Sequence, residues 1–166
     1  MSTDAIVLLR EDHAELKRLF RAFKESGPDA HVAKGRLVGQ MIELLTVHTY
    51  LENECVYPQV RELVPDLSGD ILESYEEHHV ADVLCAELAT MRPEDERFTA
   101  KTTVLIESVL HHIDEEESGW FPTVRDSLGR KELQALGQEM IALRAKAPTS
   151  PAQPGALKKA LHAVIG

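Results

Sequence analysis

The 166-residue sequence is short of several things that would assign it to familiar classes. It has two cysteines, Cys55 and Cys85, too few for a disulfide framework and suited to a reducing compartment. Its apolar runs extend for only a few residues, well below the roughly 20 that a membrane-spanning helix requires. The opening stretch MSTDAIVLLRED carries acids where a secretory signal carries bases. Basic residues are outnumbered, 18 Lys and Arg against 28 Asp and Glu, for a net charge of −10. A nucleic-acid backbone or an anionic membrane surface is therefore a poor partner. A soluble, cytoplasmic protein is the expectation. Histidine is abundant: the eight present equal Phe, Tyr and Trp combined.

Turn signals at Ser26-Gly27-Pro28-Asp29, Val64 to Gly69, Arg92-Pro93, Ser118-Gly119 and Gly129 divide the chain into segments of helical length. Within each segment apolar residues recur with the 3.6-residue period, not with the alternation of strands. The inward phases hold Ile6, Leu9, His13, Leu16, Phe20 and Phe23 in the first, and Leu37, Met41, Leu44, His48, Glu52 and Cys55 in the second. The third places Ile71, Tyr75, His78, Ala81, Cys85 and Leu88 there, and the fourth Phe98, Thr102, Leu105, Val109, His112 and Glu116. Four such helices with short connections predict an all-α fold, an antiparallel up-down-up-down four-helix bundle over residues 1–126. Pro58 and Pro122 are expected to kink or end the second and fourth helices. Residues 127–166 add a fifth helix from Lys131 to about Lys146, with Leu133, Leu136, Met140, Ile141 and Leu143 on its apolar side. A Pro-rich linker and a short tail helix, Ala156 to Ile165, follow.

The chain also repeats itself. Arg10-Glu11-Asp12-His13 matches Tyr75-Glu76-Glu77-His78 at an offset of 65, and His48-x-x-x-Glu52 with Tyr57-Pro58 matches His112-x-x-x-Glu116 with Phe121-Pro122 at an offset of 64. Two helix pairs related by an approximate internal two-fold follow, each contributing a lone histidine and one His-x-x-x-Glu. A lone histidine on an apolar face, or a single His-x-x-x-Glu, is ordinarily structural. Six polar residues in core phase at two matching offsets are another matter, because a buried carboxylate without a partner is costly. A His and a Glu four apart project from one face, about 40° around the axis and ~6 Å along it. A metal cluster resolves the burial problem, since imidazole suits iron, copper or zinc and a carboxylate can bridge two ions.

The segments REDH13AELKRLF, H48TYLENECVYP, EEH78HVADVL and H112IDEEESGWFP resemble the bacterial HHE-type hemerythrin-like proteins, and the resemblance spans residues 4 to about 126. It implies a non-haem di-iron centre in the bundle, two iron ions with an oxo or hydroxo bridge. His13, His48, His78 and His112 would be the terminal ligands, and Glu52 and Glu116 the bridging carboxylates. Oxygen-carrying hemerythrins have a fifth histidine in a His-x-x-x-His on the third helix, whereas here Asp82 and Ser74 flank His78 at that spacing. Open coordination positions follow, suited to dioxygen, hydrogen peroxide or nitric oxide, with catalase-like or nitric-oxide-handling activity and a role in oxidative stress as the enzymatic form. An oxygen or iron sensor or store without turnover, and a structural bundle with zinc or no metal, fit the same residues. Tyr75 and Tyr57 are candidates for supporting the ligands, Tyr57 as a gate. His79 and His111, each about 100° off the ligand face, are exposed or supporting. Glu54, Glu115 and Glu117 are expected to form a solvated acidic rim, and both cysteines to be buried hydrophobes.

Overall fold

The computed structural model of the chain describes residues 3–151. The expected tail helix and part of the Pro-rich linker lie outside them. Helix α1 spans Ala5–Glu25. A second rod is α2 (His31–Leu51), a single π turn (Glu52–Val56) and α3 (Tyr57–Leu63). After a 3-10 turn at Pro65–Leu67 comes α4, Ser68–Leu88. The fourth rod is α5 (Phe98–Asp114), a second π turn (Glu115–Trp120) and α6 (Phe121–Ser127); α7, Arg130–Arg144, completes the described chain. The rods pair as α1 with α2 and α4 with α5, the helix pairs that the repeat implies. None of the described helices is long and apolar enough to cross a membrane.

The two prolines do not terminate their rods. Pro58 and Pro122 fall in the first turn of α3 and α6, where a missing N–H removes no hydrogen bond. Just before them the ladder widens, so that Tyr57 N–H donates to the Glu52 carbonyl and Phe121 N–H to that of Glu116. Sequence spacing anticipates a break there, and the chain inserts a π turn instead.

The core forms two apolar clusters, one around Leu9, Tyr57, Ile71, Trp120, Phe121 and Met140, the other around Leu16, Phe20, Met41, Cys85, Phe98 and Leu105. Between them, in sequence on every rod, lie His13, His48, Glu52, His78, His112 and Glu116, each at most 6% exposed. A polar slab is thus sealed at both ends by hydrocarbon. Helix α7 adds Leu133, Leu136 and Met140 to the first cluster. Ile141, expected on its apolar side, is 47% exposed, because the buried stripe runs through Gly137 instead. A Cβ at Gly137 would lie 1.7 Å from the Thr3 carbonyl oxygen, so only glycine lets α7 approach the start of α1 this closely.

The same end of α1 is fixed by Asp4. Its carboxylate accepts the Val7 N–H at 3.1 Å and pairs with both Arg125 amino groups at 3.1 Å. Replacing a capping carboxylate by alanine costs on the order of 1 kcal/mol. Asp4→Ala should therefore lower the thermal unfolding midpoint, an effect that a calorimetric scan reads directly. An unchanged midpoint would contradict the capping role.

Candidate metal centre

The six polar residues expected to converge do so, and they divide into two groups of ligand atoms. In the first, His13 Nε2 is 3.2 Å from Glu116 Oε2 and His48 Nε2 is 3.3 Å from Glu52 Oε1. In the second, His78 Nε2 is 3.0 Å from His112 Nε2 and 3.0 Å from Glu52 Oε2, and His112 Nε2 is 3.4 Å from Glu116 Oε1. Each glutamate therefore turns one oxygen to each group, the disposition by which a carboxylate spans two cations.

What lies behind the imidazoles explains their orientation. His13 Nδ1–H donates to Glu117 Oε1 at 2.9 Å, and His48 Nδ1–H to Asp12 Oδ2 at 3.1 Å. His78 Nδ1–H donates to Asn53 Oδ1 at 2.7 Å, and His112 Nδ1–H to Glu77 Oε1 at 3.2 Å. An imidazole whose Nδ1 carries the proton presents a bare lone pair at Nε2, the arrangement that prepares a metal ligand. All four acceptors adjoin a core-phase residue in sequence: Asp12 and Glu77 precede His13 and His78, while Asn53 and Glu117 follow Glu52 and Glu116. Sequence reasoning passed over these four, placing Glu117 on a solvated rim, although their repeat at the same offsets was a usable signal.

Tyr57 takes a more central place than that of a gate. In an α-helix a residue five positions on points about 140° away; the π turn brings Tyr57 back beneath Glu52. Its hydroxyl donates to Glu116 Oε1 at 2.6 Å and lies 3.2 Å from Glu52 Oε2, 3.1 Å from His78 Nε2 and 3.4 Å from His112 Nε2. The Tyr57 ring stacks on His78 at 5.2 Å, and its repeat counterpart Phe121 stacks on His13 at 5.9 Å. Tyr75 bonds none of the six converging side chains: it donates to the Asn53 backbone carbonyl at 3.4 Å and meets Tyr57 edge-on. His79 and His111 are exposed, rotated one step off the inner face, and His111 pairs with Glu115 at 3.0 Å. Glu77, His111 and Glu115 also bring ligand atoms within 4.8 Å of one another, near the surface. Cys55 and Cys85 are buried free thiols that burial pushes up to about 11 and about 12, too high for easy reactivity.

These donors fit a metal cation on two grounds. His13 Nε2, His48 Nε2, Glu52 Oε1 and Glu116 Oε2 are buried with no hydrogen-bond partner, although each nitrogen faces an oxygen, so their lone pairs meet in one space. Buried polar atoms are rarely left so. The charges agree. Burial works against both ionised glutamates, yet His48, His112 and His78 hold Glu52 well below the usual carboxylate range, and His112 and His13 lower Glu116. Burial likewise disfavours charge on His48, but Glu52 and Asp12 outweigh it and raise the imidazole to about 10. Without a metal, protons supply the positive charge that the carboxylates demand.

Metal must displace those protons. His48 is raised above its ordinary 6.5 to about 10, so in the metal-free protein its contribution to stability is complete below about 6.5 and lost as pH rises through 10. Metal binding runs the other way: displacing the His48 proton should cost about tenfold in affinity per pH unit below 10. Metal added to weakly buffered protein at pH 7 should acidify the solution. Uptake without proton release would contradict this charge balance.

Comparison with known proteins agrees with the geometry. A family model described as "Hemerythrin HHE cation binding domain" matches residues 4–124. The chain superposes on the crystal structure of a hemerythrin HHE cation binding domain-containing protein from Mycobacterium kansasii with a TM-score of 0.70 at 20% identity, covering 86% of each chain. It is 27% identical over 139 residues to a DNA nickase of Nostoc sp. strain PCC 7120, covering 84% of this chain and 38% of that one. The chain thus spans about two fifths of that relative's length.

Proposed function

The chain belongs to the hemerythrin HHE cation-binding domain family, and we propose that its bundle holds two iron ions that bind or react with a small ligand such as dioxygen, hydrogen peroxide or nitric oxide. His13 and His48 serve one ion, His78 and His112 the other, and Glu52 and Glu116 bridge them. The observation that carries this reading is the pairing of four outward-tethered imidazoles with two glutamates that each face both groups. Two histidines and two shared carboxylates per ion leave open positions on octahedral iron and offer no thiolate, the donor that marks many structural zinc sites.

A cavity beside the site favours a small ligand. It is lined by His48, His78 and His112 together with Leu16, Leu45, Ala81, Val109 and Ile113, and leaves about 10 Å³ for the centre of a water-sized molecule, room for about one. Thr49, Glu77 and Ser108 complete the lining, and the space suits a ligand of a few atoms. Bound iron supplies redox and Lewis-acid chemistry there. Tyr57 keeps a protonated hydroxyl against both bridging carboxylates, because burial and then the Glu116 and Glu52 charges push its ionisation well above the ordinary value. Holding its proton this firmly, Tyr57 is a hydrogen-bond donor beside the second pair of histidines. On the opposite side from the apolar cavity, a cleft of about 480 Å³ lined by Asp70, Glu73, Asp114 and Glu115 reaches Ser74, whose side chain hydrogen-bonds Tyr57. An acidic approach attracts cations. The activity in the nickase's name is not carried over, since a net charge of −10 opposes a DNA backbone. The free thiols fit the cytoplasm.

Metal analysis with an optical spectrum of freshly isolated protein, followed by peroxide addition, tests this. Two irons per chain with peroxide consumption supports the enzyme, and two irons with binding but no turnover supports a sensor or store. A fully folded chain holding zinc or no metal would overturn the proposal. Glu52→Ala and Glu116→Ala should each abolish two-metal occupancy; retention of two irons in either would refute the bridging assignment.

A further inference from the structure

Helix α7 lies beyond the family-matched segment, yet it reaches the buried centre. Arg144 Nη2 donates to Asp12 Oδ2 at 2.6 Å, and the same oxygen accepts His48 Nδ1–H at 3.1 Å. One helical turn earlier, Glu139 Oε2 accepts from Gln59 Nε2 at 2.7 Å and lies 3.8 Å from Cys55 Sγ. α7 therefore lies against α1, α2 and the first π turn, where Gly137 sets its closest approach. The internal two-fold gives the other half no equivalent: Glu77, the counterpart of Asp12, meets His112, Glu115 and His111 and, among the described residues, no guanidinium.

We propose that α7 is a strap on one half of the centre, with Arg144 as a positioning residue whose hold on Asp12 fixes His48 and makes helix docking and retention of the cation at His13 and His48 mutually dependent. This rests on the two-metal reading above. The carboxylate behind a ligating histidine sets its ring orientation and basicity, and losing such a partner ordinarily weakens metal affinity 10- to 100-fold. A guanidinium bonded to that carboxylate from the half-exposed side of the helix keeps it in place behind the ring. Linkage requires the effect to be reciprocal: what the helix does for the ion, the ion does for the helix.

The test loads full-length wild type, R144Q, R144K, G137A and K101Q with iron, then follows its release to a chelator and the amide hydrogen exchange of residues 130–144 with and without iron. K101Q removes a surface ion pair to Glu87 between α4 and α5 that touches neither a ligand nor α7 and serves as the control. In R144Q one of the two irons should leave about tenfold faster while the other keeps its wild-type rate; R144K should recover part of the loss. G137A, which displaces the helix without altering Arg144, should reproduce the R144Q pattern. Iron should slow exchange in α7 of the wild type and K101Q, and do so less in R144Q. Equal release from R144Q and wild type, equal acceleration of both irons, or iron-independent exchange in wild-type α7 would overturn the proposal while leaving the two-metal reading intact. A wild-type chain that takes up no iron would overturn that reading itself.

Discussion

Two carboxylates with no solvent exposure, facing one another's imidazoles between two layers of hydrocarbon, are the constraint on which this fold turns. A lone ionised carboxylate in such a place is strongly unfavourable, and replacing its water requires positive charge at short range. Protons on His48 and His112 meet that need imperfectly, since four ligand atoms still lack hydrogen-bond partners. Bound cations would meet it without leaving those lone pairs idle. The Nδ1 tethers, the π turns and the aromatic rings stacked on His13 and His78 all orient donors toward this one small volume.

The internal two-fold is obeyed in backbone and broken in chemistry. Tyr57 and Phe121 occupy matching places after matching π turns, stacked on His78 and His13, but only Tyr57 carries a hydroxyl. Asn53 and Glu117 also correspond, one a neutral acceptor behind His78 and the other an anionic acceptor behind His13. An anionic partner makes an imidazole the stronger donor. The half at His13 and His48 has an anionic acceptor behind both imidazoles and is strapped by α7, whereas the half at His78 and His112 has one behind His112 alone and adjoins the Tyr57 hydroxyl. Both histidines of the second half line the small cavity, against His48 alone from the first.

The core-phase histidines and glutamates were legible because two periods coincided, the helical one that placed them inward and the 64- to 65-residue repeat that placed them twice. The π turns were not legible, since Pro58 and Pro122 signal only that the α ladder must yield, and a kink, a stop and a widened turn begin from the same lost donor. With the π turn hidden, the place of Tyr57 among the buried histidines and glutamates was hidden too. Glu117 read as a rim residue, and Asp12, Asn53 and Glu77 drew no reading, because each sits one step off the apolar stripe, in the space between neighbouring rods where a side chain from one helix meets the next. The Arg144 contact depends on how closely α7 docks, and Gly137, the residue that permits it, appears in sequence only as a weak helix former.

The most direct measurement is a crystal structure of the iron-loaded protein with anomalous scattering collected at the iron edge. The account predicts two anomalous peaks per chain, both lying between Glu52 and Glu116, one against His13 and His48 and the other against His78 and His112. A single peak, or density found only at the surface beside Glu77, His111 and Glu115, would contradict it.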